Sequence, residues 1–499
     1  MRLAPAAALV AALAGASAPS AAPYDRDPPG SYADYVMELG PVAWWRLGED
    51  ASSTFADSSG RGHTGFAACT NPPTPGEPGA VVGDADAAIA ISAALQQCVE
   101  VPSHSDFSLG KARDDFERVV APGSTWGSAP VGGTWTPAFT VGGNFYACAD
   151  GTATIDQTAV AATWGQTLAV ERTDVDVQIA AAWDQSASGG QIAPVALLAR
   201  FQDSANYYRA ELRESPGGSL TLRLLRTVDG QTAVLASESD IGSHVAGDWW
   251  YLRFQVEGET LRARAWNTSA TQPVAWTLST SDDAIVASGS VGVRSSNSGS
   301  DSRPLVSFAN FRVQSVGMSV HACMRPHQLT FPGQQDNYVH WLGKGIAGQH
   351  EWVLRFYSLD SSRPNRTSAY IFNRSGGLGA GAYVQESLVD HAWMCLVAVF
   401  DPGDRIDPGA GVALYKNGAR RHGPPSSGTL YSNQDYLVTP EHAAAPLRIG
   451  TRDGGSYLTG GIDEVQIYDR RLSEAEVAEL YHRLSAKPPL AVFADGFEG

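Results

Sequence analysis

Polar and apolar residues alternate along four segments in the middle of the chain. These segments are 173–179, 220–225, 250–256 and 261–266. An alternation with a period of two predicts antiparallel strands with one buried face and one face in contact with water. Clusters of Gly, Ser, Asn and Asp separate the segments at short intervals, which is typical of a β-sandwich. The pattern therefore predicts an all-β fold.

One segment has the spacing of a helix instead. Ser473 and Glu476 form the capping-box pattern that begins many helices. The apolar residues that recur at helical spacing in this segment are Val477, Leu480, Tyr481 and Leu484. We expect a short amphipathic helix here, packed on a sandwich near the C-terminus.

The order of the predicted strands repeats along the chain. Residues 197–313 and residues 341–468 each contain a hairpin with a loop, a strand, a Trp-led strand, two further strands, a Gly/Ser loop and a closing strand. Two sandwiches of similar design would produce this repeat. The alternative is that antiparallel sandwiches in general share this order.

Composition narrows the class of protein. The 499 residues allow about two to four domains. Only 17% of the residues are charged, and 52 Gly and 29 Pro provide many turns, which excludes a coiled coil, a long helical bundle and a charged disordered chain. The net charge of −17 argues against sequence-independent binding to nucleic acid or to anionic lipid. It suits an exported protein and would allow divalent cation sites.

The N-terminus has the pattern of a secretory signal peptide. Arg2 supplies a positive charge, residues 6–14 are apolar, and small residues at 16–18 or 20–22 provide a cleavage site. We therefore expect a signal peptide at residues 1–22 and a secreted, extracellular protein. The alternative is an N-terminal helix of a cytosolic protein. No later segment approaches the ~18 consecutive apolar residues of a membrane-spanning helix, so we expect no membrane span.

The chain contains five cysteines, Cys69, Cys98, Cys148, Cys323 and Cys395. No two of them have C-x-x-C spacing, which argues against a thiolate metal site or a redox motif. In an oxidising compartment cysteines tend to pair. We expect disulfide bonds between Cys69 and Cys98 and between Cys323 and Cys395, with Cys148 left over. The alternative is that all five are small buried thiols.

Four segments near the two ends of the chain resemble a known family. They are 32–35 (YADY), 40–49 (GPVAWWRLGE), 56–65 (ADSSGRGHTG) and 461–473 (GIDEVQIYDRRLS). Together they resemble the laminin-G-like jellyroll family of the concanavalin A-like lectin/glucanase superfamily. The resemblance implies a jellyroll sandwich whose closing strand leads into a final helix.

The family pattern is interrupted after Leu109 and resumes only at Ser319. The segment between them, about 200 residues, is too long for a loop and carries its own strand patterns. We therefore expect a second jellyroll, similar to concanavalin A-like modules of secreted bacterial proteins, inserted into the first. The alternative is three domains in tandem. The expected parts are the signal peptide at 1–22, the first jellyroll at 24–111 and 317–485, the inserted jellyroll at 112–316 and a C-terminal tail at 486–499.

Catalytic motifs of jellyroll enzymes match this chain poorly. Laminarinase-type glucanases carry E-x-D-x-x-E, and segments 48–51 and 462–465 lack the third carboxylate. Jellyroll alginate lyases carry R-x-E-L-R, Q-I-H and Y-K-x-G. Residues 209–213 match the first motif, but Ala193 replaces the His of the second, and 415–418 falls in the other domain. We interpret residues 209–213 as an amphipathic strand and assign no catalytic residue.

The resemblance also implies a structural calcium site. Asp57 begins a Gly-rich loop, and Asp463 lies on the closing strand, which often adjoins the first strand in jellyrolls. Ca²⁺ binds several carboxylate and carbonyl oxygens at once, so the expected ligands are Asp57, Asp463 and the His63 carbonyl. The alternative is that Asp57 closes an Asx turn and Asp463 accepts hydrogen bonds from backbone amides.

Thirteen Trp residues offer flat surfaces on which sugar rings could stack. Most are expected in the cores. Trp126 and Trp135, in the Gly/Pro-rich segment 123–137, are the better candidates for exposure and ligand binding, but packing in a core or at an edge is the favoured interpretation for these two as well.

These observations favour a secreted, non-catalytic binding or adhesion protein whose partner is a glycan or an extracellular protein. One alternative is a glycan-active hydrolase or lyase with a divergent site. Another is a structural protein-interaction module. The fold does not decide among them, because function depends on the site.

Overall fold

The fold is described from a computed structural model. It covers residues 31–50, 53–139, 143–157, 162–187, 193–273, 275–297, 303–331, 337–346, 348–372, 379–401, 411–421, 430–432 and 440–486. The expected signal peptide lies outside the described residues, as does the expected C-terminal tail apart from Ala486.

The segments on either side of the middle of the chain form one antiparallel β-sandwich, the outer sandwich. Its strands before the middle are β1 (Ala43–Trp45), β2 (Thr54–Phe55), β3 (Gly65–Phe66), β4 (Thr74–Pro78), β5 (Ala87–Ile91) and β6 (Val99–Val101). Numbered in chain order, its later strands are β23 (Met318–Pro326), β24 (Tyr338–Ile346), β25 (Gln349–Tyr357), β26 (Arg366–Phe372), β27 (Gly379–Gln385), β28 (Met394–Phe400), β29 (Val412–Lys416), β30 (Ala419–Arg420), β31 (Leu430–Ser432), β32 (Leu447–Ile449) and β33 (Gly460–Tyr468).

The two ends of the chain share both sheets of the outer sandwich. One sheet has the order β30-β29-β28-β23-β33-β5-β4, with β1 also paired to β33. The other has the order β2-β3-β6-β32-β24-β25-β26-β27-β31. Because β5 pairs with β33 and β6 with β32, neither end of the chain completes this sandwich alone.

The middle of the chain forms a second antiparallel sandwich, the inner sandwich. Its strands are β7 (Gly110–Asp114), β8 (Val120–Gly123), β9 (Thr136–Pro137), β10 (Tyr146–Ala149), β11 (Thr152–Asp156), β12 (Thr163–Arg172), β13 (Val175–Trp183), β14 (Val195–Asp203), β15 (Asn206–Glu214), β16 (Leu220–Val228), β17 (Gln231–Glu238), β18 (Trp250–Glu257), β19 (Thr260–Asn267), β20 (Leu278–Ser281), β21 (Gly289–Ser296) and β22 (Leu305–Gln314). A seven-stranded sheet has the order β17-β16-β15-β14-β21-β12-β9. The facing sheet has the order β20-β19-β18-β13-β22-β11-β10-β8, with β7 paired to β22.

Each sandwich encloses its own hydrophobic core. Trp45, Trp341 and Trp352 lie in the core of the outer sandwich, and Trp164 and Trp183 lie in that of the inner one. The alternation read from the sequence explains the packing, because every second residue of a strand points into the core. The all-β prediction is therefore confirmed, and the strands form two antiparallel jellyroll sandwiches.

The inner sandwich begins and ends at neighbouring points of the outer one. The backbone N–H of Ser315 donates to the carbonyl of Leu109 at 2.8 Å. The expected boundary at residues 111 and 112 falls inside β7, which pairs with β22. This strand therefore belongs with the inner sheets.

Two helices pack on the outer sandwich, α1 (Tyr32–Leu39) and α2 (Glu474–Ser485). The capping box of α2 is present, with Ser473 and Glu476 bonding each other's backbone N–H groups. No helical pattern in the sequence predicts α1, which is only eight residues long and coincides with the first segment that resembles the family. Among the described residues, no helix has the length and apolar character needed to cross a membrane.

Both expected disulfide bonds are present. Cys69 pairs with Cys98, and Cys323 pairs with Cys395, which lies directly opposite it on the neighbouring strand β28. Cys148 is a buried free thiol. The first bond holds the loop segments beside β3 and β6 together, and the second crosslinks the strand pair that supports both helices.

Candidate functional site

Asp57, expected as a calcium ligand, forms hydrogen bonds within the protein. Its carboxylate accepts from three backbone N–H groups, those of Trp44 at 3.0 Å, Ser59 at 2.9 Å and His63 at 2.9 Å. It therefore closes its own loop and ties that loop to β1, as the Asx-turn alternative describes.

The other two expected calcium ligands are engaged in the same way. The His63 carbonyl accepts a hydrogen bond from the indole N–H of Trp45 at 2.7 Å. The Asp463 carboxylate accepts from the backbone N–H groups of Ala80 at 2.7 Å and Glu464 at 2.9 Å. Among the described residues, neither Asp57 nor Asp463 belongs to a convergent group of three or more metal-ligating side chains.

An arginine neutralises the acidic groups near the closing strand. The Arg46 guanidinium contacts the carboxylates of Asp84, Asp86 (2.8 Å) and Glu464 (3.3 Å). Burial raises the pKa of Glu464 to about 7, and the charge of Arg46 limits the rise. The residues therefore do not fit a calcium site well, because their oxygens already have donors and Arg46 supplies positive charge beside them. Calcium binding at these residues, which the resemblance implies, stays untested.

Trp126 and Trp135 lie in the core, so the favoured interpretation is confirmed and their candidate role as exposed ligand-binding rings is wrong. Their side chains are 0% and 1% exposed. The indole N–H of Trp126 donates to the Thr154 carbonyl at 2.9 Å, and that of Trp135 donates to the Asp114 carboxylate at 2.7 Å. The segment turns back on itself at glycines with positive φ and packs both rings into the inner core. These glycines are Gly127, Gly132 and Gly133.

The strand that matches R-x-E-L-R has two distinct faces. Every second residue of β15 from Tyr208 to Leu212 lies in the inner core. Alternation places Arg209, Glu211 and Arg213 on the opposite face of the seven-stranded sheet. The interpretation of this segment as an amphipathic strand is therefore confirmed. Its polar face carries three charged side chains in a row.

Neighbouring strands bring two further arginines to Glu211. Arg223 of β16 lies directly opposite Glu211, and Ala196 of β14 separates Glu211 from Arg294 of β21. We call the resulting group the arginine cluster. Its guanidinium groups pair with the Glu211 carboxylate as follows: Arg209 at 3.2 Å, Arg213 at 3.4 Å, Arg294 at 3.9 Å, and Arg223 in direct contact.

Exposure differs across the arginine cluster. The Glu211 side chain is 1% exposed, whereas those of Arg213 and Arg223 are each 24% exposed. The carboxylate therefore lies at the floor of the cluster. A molecule approaching this face would meet Arg213 and Arg223 first.

Aromatic rings border one side of the cluster. The Phe139 ring lies 5.9 Å from each of the rings of Phe201 and Tyr207, and the Arg294 guanidinium lies 5.6 Å from its centre. Tyr207 is buried, whereas Phe139 and Phe201 remain partly exposed. The Tyr207 hydroxyl accepts a hydrogen bond from Arg209 at 3.4 Å. The face thus combines partly exposed apolar rings with guanidinium groups.

The arginine cluster carries more positive than negative charge. Burial alone would raise the pKa of Glu211, but Arg209, Arg223 and Arg213 outweigh this effect and hold its pKa below the usual value. Burial lowers the pKa of Arg294, and repulsion from Arg209 lowers it further. The carboxylate is therefore ionised at neutral pH.

A cavity of about 570 Å³ lies between the two sandwiches. Its lining includes His104, Asp106 and Arg172, and Asp106 pairs with Arg172 at 2.6 Å and with His63 at 3.1 Å. Lys111 also lines it, buried and paired with Asp469 at 2.9 Å. The charged groups in this cavity pair with one another across the junction, so the network joins the sandwiches.

A family comparison identifies part of the chain. Residues 299–478 match the laminin-G family described as the "Concanavalin A-like lectin/glucanases superfamily". This region is a laminin-G-like jellyroll. The match covers β23 to β33 of the outer sandwich, which carry the closing motif read from the sequence. No curated protein matches the chain significantly.

Solved structures resemble parts of the chain at low identity. The carbohydrate-binding module CBM66 from Bacillus subtilis is 13% identical and covers 36% of this chain and 95% of its own, with a TM-score of 0.28. Domain 4 of AbnA, an extracellular arabinanase from Geobacillus stearothermophilus, is 19% identical and covers 34% of this chain and 67% of its own, with a TM-score of 0.24. The alginate lyase Aly36B is 9% identical and covers 41% of this chain and 96% of its own, with a TM-score of 0.29. Such similarities concern the fold, so the function has to be argued from the site.

Proposed function

We propose that this chain is a secreted, non-catalytic carbohydrate-binding protein that binds through the face of the seven-stranded sheet carrying the arginine cluster. The observation that supports this most is the combination on one face of several guanidinium groups with the partly exposed rings of Phe139 and Phe201. Ligand sites typically combine apolar and aromatic surface with a small number of fixed polar groups.

The state of Glu211 argues against hydrolysis at this face. Glycosidases generally need two carboxyl groups about 5–10 Å apart, one of them protonated to act as an acid. Glu211 is enclosed, paired with four arginines and held ionised. The Glu211 carboxylate is a poor proton donor because it is held ionised, and its burial keeps it from direct contact with a sugar. Binding without cleavage is therefore the better account.

The disulfide bonds support secretion. Two of them form in this chain, and disulfides persist mainly in oxidising compartments. The signal-peptide pattern at residues 1–22 points the same way.

A glycan array combined with a sugar-release assay on the same polysaccharides tests the proposed function. We expect the full-length chain to bind at least one polysaccharide without releasing new reducing ends. The matched variants are Arg223→Ala in the cluster and Arg262→Ala on the other sheet, whose side chain is 34% exposed. Only the first should weaken binding.

Two outcomes would contradict the proposal. Sugar release that is lost in Glu211→Gln, with an unchanged melting temperature, would favour the hydrolase or lyase. Absence of both binding and release would favour the protein-interaction module.

A further inference from the structure

Two histidines and one aspartate converge where the outer sandwich adjoins the inner one. His63 lies in the loop before β3, and His104 and Asp106 follow β6. Because β3 and β6 are antiparallel partners, with Phe66 opposite Glu100, the residues before β3 lie beside those after β6. Each of the three side chains offers one ligand atom, and these atoms all lie within 4.8 Å of one another.

The distances within this group suit a metal ion. The Asp106 Oδ2 atom lies 3.1 Å from His63 Nε2 and 3.4 Å from His104 Nδ1. Zn²⁺ binds nitrogen and oxygen ligands at about 2.0–2.2 Å in a tetrahedral arrangement, which places neighbouring ligand atoms about 3.3 Å apart. Two of the three separations therefore already have the spacing that a bound ion requires. The third, between the two imidazoles, can shorten because the His104 side chain is half exposed.

Neighbouring groups hold two of these side chains in place. Asp106 uses its other carboxylate oxygen, Oδ1, to pair with Arg172 of the inner sandwich at 2.6 Å, which leaves Oδ2 for an ion. The His63 ring packs edge-on against the Phe107 ring at a centroid distance of 4.7 Å. Partners of this kind orient metal ligands and strengthen metal binding. The orientation of His63 and Asp106 is thus fixed before an ion binds.

The contacts of His104 call for a positive charge. Its Nδ1 atom accepts a hydrogen bond from the Asp106 backbone N–H at 3.2 Å, so this nitrogen carries no proton. The same nitrogen lies 3.4 Å from the Asp106 carboxylate. Two acceptor atoms at this distance repel each other unless a cation lies beside them. The competing explanation is a protonated His104 that forms an ion pair, but its Nδ1–H would then contact the backbone N–H, which is also a donor.

We propose that His63, His104 and Asp106 bind a divalent transition metal ion, with Zn²⁺ as the best match. Two imidazoles and one carboxylate form a ligand set that such ions prefer, whereas Ca²⁺ and Mg²⁺ prefer oxygen ligands alone. Three protein ligands leave a coordination position open, and His104 and Asp106 line the cavity of about 570 Å³ between the sandwiches. Water can therefore reach the ion from this cavity. The site differs from the expected calcium site, which uses the backbone carbonyl of His63 rather than its ring.

The other convergent group of metal-ligating residues in the described part of the chain does not compete for the ion. It consists of His321, Cys323 and Cys395, but the two sulfurs form a disulfide bond. Only the thiolate form of cysteine is a metal ligand. The chain should therefore bind one Zn²⁺ tightly.

Isothermal titration calorimetry tests the inference. The full-length chain, without an affinity tag, is stripped with chelator, dialysed and titrated with Zn²⁺ at about pH 7.5, where imidazoles are mostly unprotonated. We expect one ion per chain with a dissociation constant of about 1 μM or tighter, unchanged by excess Ca²⁺. Bound Zn²⁺ should also raise the melting temperature by about 3 °C or more.

Variants locate the ion. His63→Ala and His104→Ala each remove one ligand and should weaken Zn²⁺ binding about tenfold or more, since losing even a residue that orients a ligand costs that much. His327→Ala is the matched control and should bind Zn²⁺ as the unchanged chain does. His327 also pairs with a carboxylate, that of Glu77 at 2.9 Å, and stacks on a second histidine, His391. Among the described residues, however, these three do not form a convergent group.

Several results would overturn the inference. They are the absence of Zn²⁺ binding, an unchanged affinity in both ligand variants, and an equal loss of affinity in His327→Ala, which would indicate binding to scattered surface histidines. Displacement of Zn²⁺ by Ca²⁺ would overturn it too, because it would indicate a site made of oxygen ligands. Melting temperatures of the variants in chelator separate loss of binding from loss of folding. None of these outcomes bears on carbohydrate binding, which the glycan array measures separately.

Discussion

Individual buried polar residues explain much of the outer sandwich. Asp463 and Arg46 connect elements that are far apart in the sequence, through hydrogen bonds to a backbone amide and to carboxylates, and Asp57 ties its own loop to β1. Buried polar groups are stable only when such partners are present. The acidic residues near the closing strand therefore have a structural explanation that requires no ion.

Calcium should accordingly have little effect on stability. With the carboxylates of Asp57 and Asp463 already bonded to amides, we expect the melting temperature to be the same in excess Ca²⁺ and in excess chelator. Differential scanning calorimetry of the full-length chain measures this. An increase with Ca²⁺ that disappears in Asp57→Ala would instead establish the expected calcium site, because a ligand stabilises the state that binds it.

His321 should make the outer sandwich sensitive to acid. Burial lowers its pKa to about 4, although its ring nitrogen bonds the Glu464 carbonyl at 2.9 Å. An exposed histidine has a pKa of about 6.5, so as the pH falls the unfolded chain binds the proton first. The free energy of unfolding should therefore decrease from about pH 6.5 towards about pH 4, by at most about 3 kcal/mol for this group.

Denaturant unfolding at several pH values checks the acid sensitivity. The difference in unfolding free energy between the native chain and His321→Gln should shrink as the pH falls. The exposed His482→Gln is the control and should show a constant difference. A constant difference for His321→Gln as well would contradict the account.

At the level of elements, alternation predicted the strands well because it reports directly which side chains face a core. It also identified β15, including Arg209, Glu211 and Arg213. It did not identify Arg223 and Arg294 as part of the same site, because strand register brings them to Glu211 and no sequence spacing encodes that register. For Trp126 and Trp135 the sequence favoured core packing without deciding it, since their segment has no period of two that would show which side chains face a core.

The N-terminal cap of α2 offers a test at this scale. Ser473→Ala removes the side chain that accepts from the Glu476 backbone N–H at 3.2 Å. We expect a loss of about 1 kcal/mol in the free energy of unfolding. Ser485→Ala, at the other end of the helix, should cost less. Equal losses for the two variants would show that the cap does not stabilise the helix as described.

At the scale of the whole molecule, one sandwich lies within the sequence of the other. The chain leaves the outer sandwich after Leu109 and returns near Ser315, two residues whose backbones are bonded to each other. Each sandwich also has a separate core. We propose that the inner sandwich is an inserted domain able to fold alone.

Expression of fragments tests the insertion. A fragment of residues 108–316 should fold with a cooperative melting transition. A fragment of residues 115–316 should not, because it lacks β7 and the Asp114 carboxylate that binds Arg118 at 2.7 Å and Trp135 at 2.7 Å. Folding of both fragments would contradict the role given to β7, and folding of neither would contradict an independent inner domain.

A crystal structure of the full-length chain with an oligosaccharide that it binds on a glycan array tests the central claim most directly. The account predicts an intact oligosaccharide on the face of the seven-stranded sheet. Its hydroxyl or other oxygen atoms should lie within hydrogen-bond distance of Arg213 or Arg223. An oligosaccharide bound in the cavity between the sandwiches, or on the outer sandwich alone, would contradict the account, as would one cleaved beside Glu211.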